Sequence, residues 1–196
     1  MPPIASLGNV SAQVSPVPRQ LTRFVGREWE LAEIRRLLDS SRLVTLTGIG
    51  GAGKTRLAAE VAQRAAATHQ DGVAWVDLSS ISDPTLVDRH VSSAMGFSES
   101  LERTCVDILV DMLRPLSLLV VLDNCEHLIE ACASLVHAML SEAPGVRILA
   151  TSREALGVDG EVSTRSPTSR PRSPCPSRST FRGTTRRATE SAGTKS

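Results

Sequence analysis

The residues best placed to do chemistry begin at Gly48. "GIGGAGKT" sets Gly48, Gly53, Lys54 and Thr55 in a GxxxxGK[ST] pattern. Glycines at these points let backbone N–H groups turn inward around an anion. A helix opening near Lys54 adds the partial positive charge of its N-terminus. A lysine here reaches the β- and γ-phosphates of a nucleotide, and a hydroxyl at Thr55 would ligate Mg²⁺. The candidate binding set is therefore Gly48, Gly50, Gly51, Ala52, Gly53, Lys54, Thr55 and Arg56.

Two further residues could act on the same phosphates. Asp123 ends an apolar run, Leu118 to Leu122, that reads as a buried strand. A carboxylate at the C-terminal end of a parallel strand lies in the crevice where such sheets bind ligands. Asp123 and Thr55 are thus the expected Mg²⁺ ligands. Arg153 follows another strand, "VRILATS". It could touch a terminal phosphate or simply open the next surface turn, and spacing does not choose between the two. Cys125, His127, Cys132 and His137 fit neither a CxxC knuckle nor an i, i+4 histidine pair, so they are not read as a metal set.

These residues need a scaffold. Leu31, Ile34, Leu37 and Leu38 form a helical stripe, as do Leu57, Ala58, Val61, Ala62 and Ala65. Strands are expected at Leu43–Thr47, Gly72–Leu78, Leu116–Asn124 and Val146–Ser152, with helices between them. Strands apolar on both faces that alternate with helices predict an α/β fold with a parallel sheet covered on two sides.

The chain has 196 residues, 41% hydrophobic and 22% charged, enough for one domain with a sizeable core. A net charge of +1 argues for no particular partner. The most apolar run is too short to cross a bilayer, and "MPPIASLGNV" is no secretory signal. Four scattered cysteines, Cys105, Cys125, Cys132 and Cys175, suit reduced thiols in a cytoplasmic protein. Composition suggests a proline-rich leader over 1–20, a folded core over 21–161 and a disordered Ser/Pro/Arg-rich tail over 162–196.

Four stretches, "LTRFVGREWEL", "GIGGAGKTRLA", "LLVVLDNCEHL" and "RILATSREALGVDGE", resemble the nucleotide-binding core of the STAND class of P-loop ATPases. More narrowly, they look like the ATPase module of large LuxR-type and antibiotic-regulatory transcriptional regulators, with NB-ARC domains as distant relatives. The resemblance implies a three-layer sandwich with sheet order 5-1-4-3-2. It implies ATP or ADP with Mg²⁺ as ligands. It also implies that Val25, Gly26 and Arg27 lie against the adenine, that Asp123 is the Walker B acid, and that Arg153 senses the terminal phosphate. Motor ATPases carry a glutamate directly after that acid. This chain has Asn124, with Glu126 offset, so slow or no hydrolysis is expected.

Relatives continue into a fifth strand, a helical lid and a winged helix. "STRSPTSRPR" shows neither apolar alternation nor strand propensity, so the fifth strand is expected to be missing. An absent fifth strand would leave an open sheet edge prone to self-association. The abrupt composition favours a truncated or frame-shifted relic of a longer regulator over a native tail, and contact with DNA would then belong to domains absent from this chain. Two other functions compete: a small P-loop kinase-like enzyme, for which no acceptor lid is visible, and nucleic-acid binding through the arginine-rich tail.

Overall fold

The computed structural model of the chain describes residues 17–18, 26–97 and 103–166. Among these residues five α-helices and five strands follow one another: α1 (Glu28–Ser40), β1 (Leu43–Thr47), α2 (Lys54–Ala65), β2 (Val73–Asp77), α3 (Val87–Ala94), α4 (Cys105–Leu113), β3 (Leu119–Asp123), α5 (Ile129–Glu142), β4 (Arg147–Ser152) and β5 (Glu161–Arg165). The sheet is parallel throughout, in the order β2-β3-β4-β1-β5.

Alternation along the strands builds two cores. Val44, Leu46, Trp75, Leu119, Val121 and Leu149 face α1 and α2, meeting Leu31, Ile34, Leu38, Leu57 and Val61. Their sequence neighbours Leu43, Ala74, Val76, Val120, Leu122 and Ile148 point the other way, into the layer of α3, α4 and α5. A period of two on a sheet buried on both sides explains why these strands read as continuous apolar runs. Val17, inside the expected leader, packs against the α1/α2 side.

One expectation is overturned. The fifth strand is present, and β5 pairs with β1 from Leu43↔Glu161 to Thr47↔Arg165. The strand therefore runs past the boundary drawn at residue 161. Sequence pattern missed it because none of its five residues is fully buried. An edge strand held by backbone bonds to one neighbour needs no apolar alternation. β5 also covers the edge of β1, which removes the premise for self-association through that edge. The expected tail from residue 167 onward lies outside the described residues.

Parallel strands bring their C-terminal ends to one crest. Thr47 of β1, Asp123 of β3 and Ser152 of β4 end there, directly before the glycine loop, Asn124 and Arg153. No helix among the described residues is long and apolar enough to cross a membrane.

Candidate functional site

The glycine loop leaves β1 at Gly48 and ends at Gly53, the N-cap of α2. Gly53 has φ 77°, in the left-handed region, so a side chain there would be strained as the loop turns into the helix. Gly48 is buried, and a Cβ on it would lie 3.3 Å from the Ser166 carbonyl oxygen. Gly50 and Gly51 are exposed at the loop tip, Ala52 is buried, and Arg56 is half-buried on the first turn of α2.

Lys54 folds back over the loop. Its Nζ donates to the carbonyl oxygens of Gly48 at 2.9 Å and Ile49 at 3.3 Å, and the residue is only 7% exposed. A buried ammonium satisfied by two loop carbonyls stands ready beside any anion that the loop takes.

Thr55 Oγ1 donates to Asp123 Oδ1 at 3.0 Å, across 68 residues of sequence. Thr151 Oγ1 donates to the same oxygen at 2.5 Å. Asp123 is 2% exposed, and burial pushes its carboxyl above the usual carboxylate range. The Thr151 and Thr55 hydroxyls oppose that rise, while the nearby Asp77 and Glu126 charges add to it. The donor set suits Mg²⁺: hard oxygen ligands, one carboxylate and one hydroxyl, leaving the remaining positions to phosphate and water.

Thr151 is a functional neighbour that sequence reasoning missed, and Asn124, read there only as the residue in place of a glutamate, has a second role. Asn124 adopts φ 66° and ψ 46°, the left-handed conformation that asparagine tolerates better than most residues. Its Nδ2 donates to Asp77 Oδ1 at 3.1 Å and its backbone N–H to Thr151 Oγ1 at 3.0 Å. The ends of β2, β3 and β4 are thereby tied together around Asp123. The only signal in sequence was an asparagine where a glutamate might have stood, and a threonine one residue before the end of β4.

Arg153 stands exposed at the loop. One guanidinium nitrogen lies 4.0 Å from where a Cβ on Gly50 would be, and Nε donates to Glu126 Oε1 at 3.3 Å. With the Arg153 side chain 68% exposed, this pair contributes about 0–1 kcal/mol and releases easily. Arg153, Glu154 and Ala155 face Thr47 to Gly50, Ser163 and Arg165 across an open cleft of about 510 Å³.

Of the residues expected at the adenine, Val25 lies outside the described residues. Gly26 precedes α1 with φ 88°. The Arg27 side chain reaches the glycine loop, donating to the Ala52 carbonyl at 3.3 Å. Of the cysteines and histidines set aside above, Cys125 and Cys132 are buried free thiols and His127 bonds the Ile81 carbonyl oxygen.

A family model described as an AAA ATPase domain matches residues 23–150. The chain belongs to the AAA ATPase domain family. This AAA ATPase domain is 41% identical over 149 residues to an uncharacterized protein of Mycobacterium tuberculosis, covering 76% of this chain and 38% of that protein. It is 44% identical over 134 residues to a Mycobacterium tuberculosis protein named "Putative HTH-type transcriptional regulator", covering 68% of this chain and 15% of that one. The chain thus spans well under half the length of these relatives. Among solved structures it resembles a Signal Transduction ATPase with Numerous Domains (STAND) protein with a tetratricopeptide repeat sensor from Pyrococcus horikoshii. That match has TM-score 0.54 and 18% identity, over 83% of this chain and 25% of the other. The family and the fold agree with the STAND-class resemblance carried by the four sequence stretches.

Proposed function

We propose that this AAA ATPase domain is the ATP- and ADP-binding regulatory module of a signal-transduction ATPase of the transcriptional-regulator type. The observation that carries this is the meeting of Thr55 and Asp123 at 3.0 Å beside a glycine loop already closed around Lys54. Loop N–H groups and Lys54 would hold the β- and γ-phosphates, and Thr55 and Asp123 would hold Mg²⁺. Bound there, Mg²⁺ would neutralise phosphate charge. Arg153, across the cleft from Gly48 to Gly50 of the loop, would exchange Glu126 for the terminal phosphate.

Turnover on this reading is slow. The residue after Asp123 is Asn124, whose amide is committed to Asp77 and whose side chain cannot take a proton from water. DNA contact would belong to segments outside the matched region, as the name of the regulator relative suggests.

The test is the Mg²⁺ dependence of ATP binding. For the wild-type chain, added Mg²⁺ should tighten binding about tenfold, a difference of ~1.4 kcal/mol. Thr55→Ala and Asp123→Asn should lose that increment while Mg²⁺-free binding stays within about twofold. An unchanged Mg²⁺ response in both variants would contradict the assignment.

A further inference from the structure

Three donors converge on one carbonyl of the glycine loop. Both terminal nitrogens of Arg27 donate to Ala52 O at 3.3 Å, and Ser166 Oγ donates to it at 3.2 Å. Arg27 also donates to Ser166 Oγ at 3.2 Å, which leaves the serine proton free to point at Ala52. Ser166 itself is 3% exposed, and its backbone N–H bonds Thr47 O at 2.8 Å, where the loop begins. Thus the loop is gripped from α1's leading residue on one side and from the residue after β5 on the other.

We propose that Arg27 and Ser166 are positioning residues for the phosphate loop, acting through the Ala52 carbonyl. The peptide unit is planar and trans, so its C=O and N–H point in opposite directions. Fixing the Ala52 oxygen toward Arg27 and Ser166 therefore fixes the Gly53 N–H away from them, into the concavity that an anion would fill. Gly53 is the residue against which the guanidinium packs, with a Cβ position 3.6 Å from Arg27 Nη1. A permanent positive charge at this distance also favours phosphate over water in the loop. The sequence resemblance puts the backbone of the segment that holds Arg27 against the adenine. Its side chain serves the phosphate end, and Ser166 serves it from beyond the expected edge of the domain.

The inference rests on the nucleotide reading of the loop, and the test separates the two. Calorimetry on the full chain would compare magnesium ADP with magnesium pyrophosphate, which has phosphates but no base. Ser166→Ala should weaken both ligands by the same factor, about three- to tenfold, the worth of one hydrogen bond. Arg27→Ala should weaken both about ten- to thirtyfold, as expected for charged donors. Adding Ser166→Ala to Arg27→Ala should cost no more than about twofold further, because both act on one carbonyl. Ser166→Thr keeps the hydroxyl and should bind like wild type.

Several results would overturn the proposal. One is loss of ADP binding with pyrophosphate unaffected, which would assign the pair to the base. Another is no change with either ligand, and a third is a Ser166→Thr defect as large as that of Ser166→Ala. Should Arg27→Ala fail to fold, Ser166→Ala and Ser166→Thr decide alone. A wild-type chain that binds neither ligand would remove the nucleotide reading itself. Binding of both by wild type and variants alike would remove only the clasp.

Discussion

Asp123 keeps its place through side chains that sequence spacing does not connect. Thr151 gives its hydroxyl proton to the carboxylate and accepts the N–H of Asn124, so one oxygen bridges two groups. Thr151→Val would leave the Asn124 N–H without its acceptor and take from Asp123 Oδ1 one of its two hydroxyl donors. The expected loss is about 1–3 kcal/mol of stability, read as a lower denaturant midpoint. A midpoint equal to wild type would contradict the bridge. Asn124→Ala should cost about 1–2 kcal/mol, from left-handed strain and the lost amide bond to Asp77. At the same scale, Arg153→Ala should weaken ATP about fivefold or more and leave ADP within about twofold. Equal loss of both nucleotides in calorimetry would deny Arg153 a role at the terminal phosphate. The loop was legible in sequence because its residues are contiguous and match the GxxxxGK[ST] pattern. Asn124, Thr151 and Ser166 were not, because each earns its role only when different strands come side by side.

Among the elements, β5 is the one that sequence pattern missed, and it is the one that delivers Ser166. Its N–H groups alternate between β1 and the open edge, and Ser166 N–H faces β1. By alternation Thr164 N–H faces β1 and Ser163 N–H faces outward. Thr164→Pro should therefore cost about 1–3 kcal/mol, the loss of one ladder bond, and loosen the strand, whereas Ser163→Pro should be far milder. Equal effects of the two prolines on hydrogen exchange along β1 would contradict the pairing. A second element-scale constraint sits before β4. A Cβ on Gly145 would fall 2.3 Å from the Leu116 backbone oxygen, so Gly145→Ala must move the turn that leads into β3. Four strands were visible in advance because they are buried on both faces and carry apolar residues at nearly every position. An edge strand spelled "EVSTR" offers no such signal, since its ladder to β1 is made by backbone groups.

Across the whole molecule, two cores fix the two faces of the sheet, and the C-terminal ends of its strands gather the loop, Asp123 and Arg153 on one crest. Parallel topology thus does at the scale of the domain what the glycine pattern does at the scale of the loop: it concentrates the candidate site's groups in one place. The fold class and sheet order were legible from helix–strand alternation together with family resemblance. On the proposed reading the chain binds a nucleotide, with slow or no turnover. The most direct measurement is calorimetry of magnesium ATP and magnesium ADP with the wild-type chain and with Lys54→Ala. Saturable binding of both nucleotides by wild type, weakened at least about a hundredfold in Lys54→Ala, is the expected result. Equal heats from the two proteins would contradict the nucleotide site.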